Sequence, residues 1–238
     1  MKNLTLCETN KLFYNQYLYK LAFSNNLNVI FRQEIQKDKK LSYAREQIDK
    51  FAEQYRNNEP IMRQIWRTAV QVPEQDYLDA KELYSILKRS SDYKIRIDPQ
   101  STVTIFSNNE DFLLEIAGRL KAKNKVLHKP NENYAKILQD KTKIILVDKK
   151  PDLKLKINFN GKRCNKEFAN WIRANTDKAR MGRIALENLE LYGYLSGFYM
   201  YVRDEKVLNL VTLLAGSTIR SVEKLVYKGD IDKYKYAE

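Results

Sequence analysis

Few residues in this chain stand in a pattern suited to covalent chemistry. General acid–base catalysis needs a titratable group aimed at a reacting atom, usually a histidine or a carboxylate with a partner. The sequence holds one histidine, His128, with no partner at a recognisable spacing, and it reads as a solvated loop residue. The two cysteines, Cys7 and Cys164, lie far apart, which argues against a disulfide framework and a zinc pattern and for an intracellular, reduced chain. There is no glycine-rich phosphate loop and no histidine pair of the kind used by nicking enzymes. No cofactor and no metal are therefore expected.

The residues that do gather are basic. Between Arg119 and Arg183 there are 19 Lys and Arg against 6 Asp and Glu, and this excess equals the entire formal charge of +13. Outside that stretch the charges cancel. Such localisation points to a polyanionic partner, most often nucleic acid, because each neutralised phosphate releases condensed counterions. The cations placed on the expected elements are Lys154 and Lys156 on a strand and Lys162 and Arg163 at a turn. Arg173, Lys178, Arg180 and Arg183 are expected along a helix. Three aromatics lie among or near them: Trp171, Tyr199 and Tyr201. An aromatic beside cations offers a base a stacking surface, although Trp171 also falls at helical spacing with Phe168 and Ile172, which marks a core position.

Two short resemblances bear on this. Gly197-Phe198-Tyr199-Met200-Tyr201-Val202 resembles the aromatic strand of an RNA-recognition motif, with one residue too many between glycine and valine and no second aromatic strand in the expected place. Pro151-Asp152, followed by Lys154 and Lys156, resembles the proline–aspartate and acid–x–lysine pattern of a large nuclease superfamily. The second acid is missing, and metal-dependent cleavage needs gathered carboxylates.

The elements that must position these residues follow from periodicity. Residues 11–32 predict a hairpin: Tyr17, Tyr19, Leu21 and Phe23 alternate, and Leu27, Val29 and Phe31 return after Asn25-Asn26. Helices are predicted from Leu41 to Tyr55, through Met62, Ile65, Trp66 and Ala69, and over 74–89. A strand–turn–strand–helix unit follows, with Tyr93, Ile95 and Ile97, then Val103 and Ile105, then a helix capped by 107–110. One more helical turn is expected over 131–136, and a buried strand over 144–147.

Leu153, Leu155, Ile157 and Phe159 alternate with Lys154, Lys156 and Asn158, a strand with one apolar and one basic face. Asn160-Gly161 predicts a tight turn, and Asn165 caps the next helix. The end of the chain reads as strand–helix–strand over 198–227, which resembles the βαβ half of a ferredoxin-like domain, with a frayed tail from Gly229. No internal repeat is evident, and no run approaches the ~20 apolar residues of a membrane span.

The sequence therefore predicts an α+β fold with mixed or mainly antiparallel sheet, its regions 1–125 and 126–238 either separate or packed as one compact body. The function expected is non-catalytic nucleic-acid binding, in the cytoplasm or a virion, as an accessory replication, packaging or genome-organising factor of a virus, phage or plasmid. An alternative is a structural protein whose basic face docks an acidic partner or a second copy of itself. A third is a nuclease or nucleotidyl-transfer enzyme whose carboxylates meet only in the fold.

Overall fold

The chain is described by a computed structural model over residues 4–32, 41–65, 68–98, 100–140 and 143–231. Among these residues it is mixed α+β, with twelve strands and seven α-helices. They divide into two units, Met1–Ala135 and Lys136–Glu238, each built on a five-stranded sheet.

The first unit runs β1 (Leu4–Thr9), β2 (Tyr19–Ser24), α1 (Ser42–Arg56), β3 (Met62–Ile65), β4 (Thr68–Gln71), α2 (Glu74–Lys88), β5 (Lys94–Ile97), β6 (Thr102–Ser107), α3 (Glu110–Arg119) and β7 (Lys123–Pro130). The helix α4 (Glu132–Asp140) leads to β8 (Ile144–Val147), β9 (Leu155–Phe159), α5 (Glu167–Ala174), β10 (Ala179–Met181), α6 (Arg183–Tyr192), β11 (Tyr199–Val202), α7 (Glu205–Ala215) and β12 (Ile219–Tyr227).

The two sheets share one topology. From the parallel edge they read β1-β7-β2-β6-β5 and β8-β12-β9-β11-β10. Counted along the chain, each is first, fifth, second, fourth, third. In each, the first two neighbours are parallel and the rest antiparallel. Without its first strand, each sheet belongs to a βαββαβ arrangement, the ferredoxin-like motif. The first unit inserts the β3–β4 hairpin and a second helix after β2; the second inserts α6 between β10 and β11. The tail's strand–helix–strand reading, β11-α7-β12, is present as expected. The repetition of strand order leaves no trace in the sequence, because alternation and burial need apolar residues at given positions and not the same ones.

Both cores lie between the inner sheet face and the helices. Leu21, Phe23, Val103, Ile105 and Leu127 meet Leu83, Leu87, Leu113 and Ile116 in the first. Leu155, Ile157, Phe159, Met200 and Val202 meet Phe168, Ile172, Leu189, Val207 and Val211 in the second. Caps fall where the sequence supplies them: Asn109 Oδ1 accepts from Phe112 N at 3.0 Å and starts α3, and Asp204 Oδ1 accepts from Val207 N at 3.0 Å and starts α7. That bond holds the Asp204 carboxyl below its usual range.

Two local expectations fail for identifiable reasons. Leu27, Val29 and Phe31 do not return as a strand; Asn28–Phe31 forms a 3-10 turn. Asn25 Oδ1 accepts from Leu27 N at 2.8 Å, and Asn28 Nδ2 donates to Asp98 O at 2.6 Å, so asparagine side chains take over the local pairing. Both edges of β2 are already paired, with β6 and β7. The expected helix at 62–69 is instead the β3–β4 hairpin, since a short apolar run fits either period; Trp66 lies outside the described residues. Separately, no element is predicted where β7 lies, because its own lysines mask the strand pattern.

The outer face of the first sheet is roofed by its own chain. Phe13, Tyr14 and Tyr17, from the segment joining β1 to β2, cluster on Phe106 of β6 with ring centroids 5.7, 5.0 and 6.3 Å away. The ring of His128 meets Phe13 edge-on at 6.1 Å, and the Lys20 and Lys94 ammonium groups stand over Phe13 and Tyr14.

Candidate functional site

Strand alternation builds the corresponding face of the second sheet. On β9, Leu155, Ile157 and Phe159 point into the core, so Lys156 and Asn158 face outward; on β11, Met200 and Val202 point inward, so Tyr199 and Tyr201 face outward. The register sets Tyr201 opposite Lys156, Tyr199 opposite Asn158, and Arg180 of β10 opposite Tyr201. A row of cation, aromatic and cation, Arg180–Tyr201–Lys156, thus crosses three strands. The first sheet has the same row as Lys94–Phe106–Lys20, but there it lies beneath the roofing aromatics.

This row is held in place by polar contacts. Lys156 Nζ lies 4.5 Å from the centroid of the Tyr199 ring and 3.7 Å from Glu223 of β12. Asn158 Nδ2 donates to the same carboxylate at 3.0 Å and lies 3.2 Å from Ser221 Oγ. The Tyr199 and Tyr201 rings meet edge to face at 5.5 Å. Burial pushes the Tyr201 phenol above its usual range, with the neighbouring Tyr199 and Glu223 adding to the shift. Tyr199 stays 47% exposed. Beside the tyrosines, an open groove of about 530 Å³ runs to the start of α6, lined by Arg180, Met181, Arg183, Ile184, Phe198, Tyr199 and Tyr201.

The predicted site residues divide sharply. Lys156, Arg180, Tyr199 and Tyr201 come together on this face, and Arg183 joins them at the groove. Lys154 is exposed two residues before Lys156, with its carbonyl taking the Leu225 N–H at 2.7 Å. Lys162 and Arg163 are in the loop after β9, where Lys162 N donates to Asn160 Oδ1 at 2.8 Å and Arg163 forms a bridge with Tyr194. That loop is pinned through Cys164 N to Gly193 O at 2.9 Å. Gly193 ends α6 at φ +65°, and a Cβ there would sit 2.8 Å from Cys164 O, so only glycine fits.

Trp171 and Arg173 belong to the helical side. Trp171 stacks on core Phe168 at 5.9 Å and 17°, and Arg173 pairs with Glu190 of α6 at 2.6 and 3.0 Å. The single basic helix expected through Arg173, Lys178, Arg180 and Arg183 does not exist: β10 interrupts it, and Lys178 Nζ caps back onto Asn175 Oδ1 at 3.0 Å.

Three cations in the N-terminal part of the basic stretch are engaged within the fold. Arg119 pairs with Glu82 and Glu115, and Lys129 pairs with Glu110 at 2.9 Å. Lys125 is 7% exposed, and its ammonium donates to Ala117 O at 2.7 Å and Leu120 O at 2.8 Å, closing the C-terminal end of α3. His128 is a half-buried strand residue and not the solvated loop residue expected. Burial and nearby Lys20 depress its pKa.

Sequence reasoning set Asn158 on this face of β9 without naming it a site residue, and missed Ser221 and Glu223, whose signal was their alternation with the core residues of β12. It also missed the apolar groove wall, Met181, Ile184 and Phe198, which no spacing connects. Among the described residues, no group of three or more His, Cys, Asp and Glu is placed to hold a metal, and no helix is long and apolar enough to cross a membrane. No protein-family model, curated protein or solved structure matches the chain.

Proposed function

We propose that this protein binds nucleic acid non-catalytically through the outer face of its C-terminal sheet, as an accessory factor in handling a genome or transcript. The observation carrying this reading is the Arg180–Tyr201–Lys156 row, exposed at its Arg180 end, with exposed Tyr199 beside it, next to a groove edged by Arg180 and Arg183. Cations alone would be weak support, since surface lysines often only solubilise. Here exposed Arg180 of β10 and exposed Arg183 at the start of α6 line one groove with two tyrosines of β11, and among the described residues Arg180 makes no ion pair. Arg183 has an exposed helical contact with Glu187 at 3.4 Å, worth little in water. Phosphates supply most of the affinity in such a site, which makes binding steeply dependent on salt.

The test is a titration of the full chain against a labelled oligonucleotide at rising salt. Wild type is expected to lose affinity steeply, and Arg180→Glu with Arg183→Glu to weaken binding and flatten the salt dependence by roughly one unit of slope per lost contact. Reversal of Lys162 and Arg163, in the loop, is expected to have the smaller effect. Preference for an acidic protein over every oligonucleotide, at matched charge, would replace this reading with a protein-docking one.

A further inference from the structure

The groove beside Tyr199 says more than that phosphates can land nearby. Its wall is apolar where a cation site needs no apolar surface: Met181, Ile184 and Phe198 line it together with the two tyrosines. Ile184 is 64% exposed and Tyr199 47% exposed, so apolar and aromatic surface stands open directly beside Arg180 and Arg183. The volume of about 530 Å³ falls within the ~300–1,000 Å³ of sites that take small organic groups. One side of the Tyr199 ring is already held by the Lys156 ammonium, and Lys156 is fixed in turn by Glu223. A ring so fixed loses little freedom when something flat is laid on it.

We infer that the groove takes an unpaired nucleobase, stacked on the side of Tyr199 away from Lys156, with the flanking phosphates on Arg180 and Arg183. The ligand class is therefore a single strand. In a duplex each base is covered above and below by its neighbours and offers no face to a side chain, whereas an unpaired base can be laid on an aromatic ring. This inference rests on the nucleic-acid reading of the same site and specifies what that site reads. The first sheet supplies an internal comparison: on its equivalent row Phe13 and Tyr14 of the same chain pack against Phe106, whereas in the second sheet Tyr199 stays 47% exposed.

The experiment measures binding of the full chain to fluorescein-labelled oligothymidylate, to an abasic strand of equal length and to the corresponding duplex. The thymidylate is expected to bind about tenfold more tightly than the abasic strand and more tightly than the duplex. Tyr199→Ala should bring thymidylate down to the abasic level without altering the salt slope, and Tyr199→Phe, which keeps the ring, should restore it. Equal binding of all three ligands, with the salt slope intact, overturns the base-stacking inference and leaves phosphate binding standing. Thymidine monophosphate occupying the site as tightly as the strand overturns the assignment to a strand. No binding to any oligonucleotide overturns both this inference and the function it rests on.

Discussion

The ammonium of Lys156 stands over the ring of Tyr199, 4.5 Å from its centroid, and the same ammonium lies 3.7 Å from the Glu223 carboxylate. One cation thus orders an exposed aromatic and neutralises a nearly buried acid. The Lys156 and Glu223 side chains retain 16% and 10% exposure, so removing one partner strands the other away from water. Lys156→Met is expected to destabilise the fold by about 1–3 kcal/mol, within the range for leaving a buried polar group unmatched. Adding Glu223→Leu should recover part of that loss. Urea unfolding of the two single variants and the double variant measures the coupling.

Trp171 and Tyr199 are expected to behave oppositely. Trp171 stacks on Phe168 within the helical layer, so Trp171→Ala should cost about 1–3 kcal/mol, less than a fully buried aromatic, and leave oligonucleotide affinity unchanged. Tyr199→Ala removes a ring that is half in solvent and should change stability by under about 1 kcal/mol while weakening binding. Parallel melting and binding measurements on the two variants check this reversal.

Lys125 separates charge from function in the same manner. Its ammonium donates to two carbonyls that α3 leaves open, so Lys125→Met is expected to lower stability by about 1–3 kcal/mol, the cost of leaving such groups unpaired. The salt slope of binding should not move, since this charge never faces the ligand. In the sequence Lys125 looks like any other member of the basic stretch. That is why the stretch could be counted but not apportioned: a lysine that caps a helix and one that meets a phosphate have the same side chain, and the difference lies in which backbone passes beside it.

Other parts of the site were legible for the opposite reason. The alternation of Leu155, Ile157 and Phe159 with Lys156 and Asn158 fixes which face of β9 is basic wherever the strand is placed, because the period of two is a property of the strand itself. The same holds for Tyr199 and Tyr201 against Met200 and Val202. What alternation does not carry is the neighbour. Nothing in the sequence says that β9 lies between β11 and β12, so the contacts of Lys156 with Tyr199 and Glu223 were out of reach. The common strand order of the two sheets was hidden too, as were β7, broken up by its lysines, and the β3–β4 hairpin, too short to tell from a helical turn.

His128 carries the expected pH dependence. Its folded-state pKa is lowered by burial and by Lys20, from an ordinary value of 6.5. The folded chain therefore favours the neutral ring, and the unfolded chain binds the proton more readily. The resulting stability is fully present above about pH 6.5 and is lost as the pH falls through the lower, folded value. His128→Gln should flatten the fall in urea midpoint between neutral and mildly acidic pH, leaving the carboxylate-driven acid unfolding in place.

Photo-crosslinking of the full chain to an oligonucleotide containing 4-thiouridine, followed by peptide mapping, tests most directly whether the C-terminal sheet face is where nucleic acid lies. Crosslinks are expected on the β11 peptide carrying Tyr199 and Tyr201 and on the Arg180–Arg183 segment, and to disappear as salt is raised. Crosslinks confined to the helical side, around Trp171 and Arg173, or to the N-terminal unit, would contradict the account.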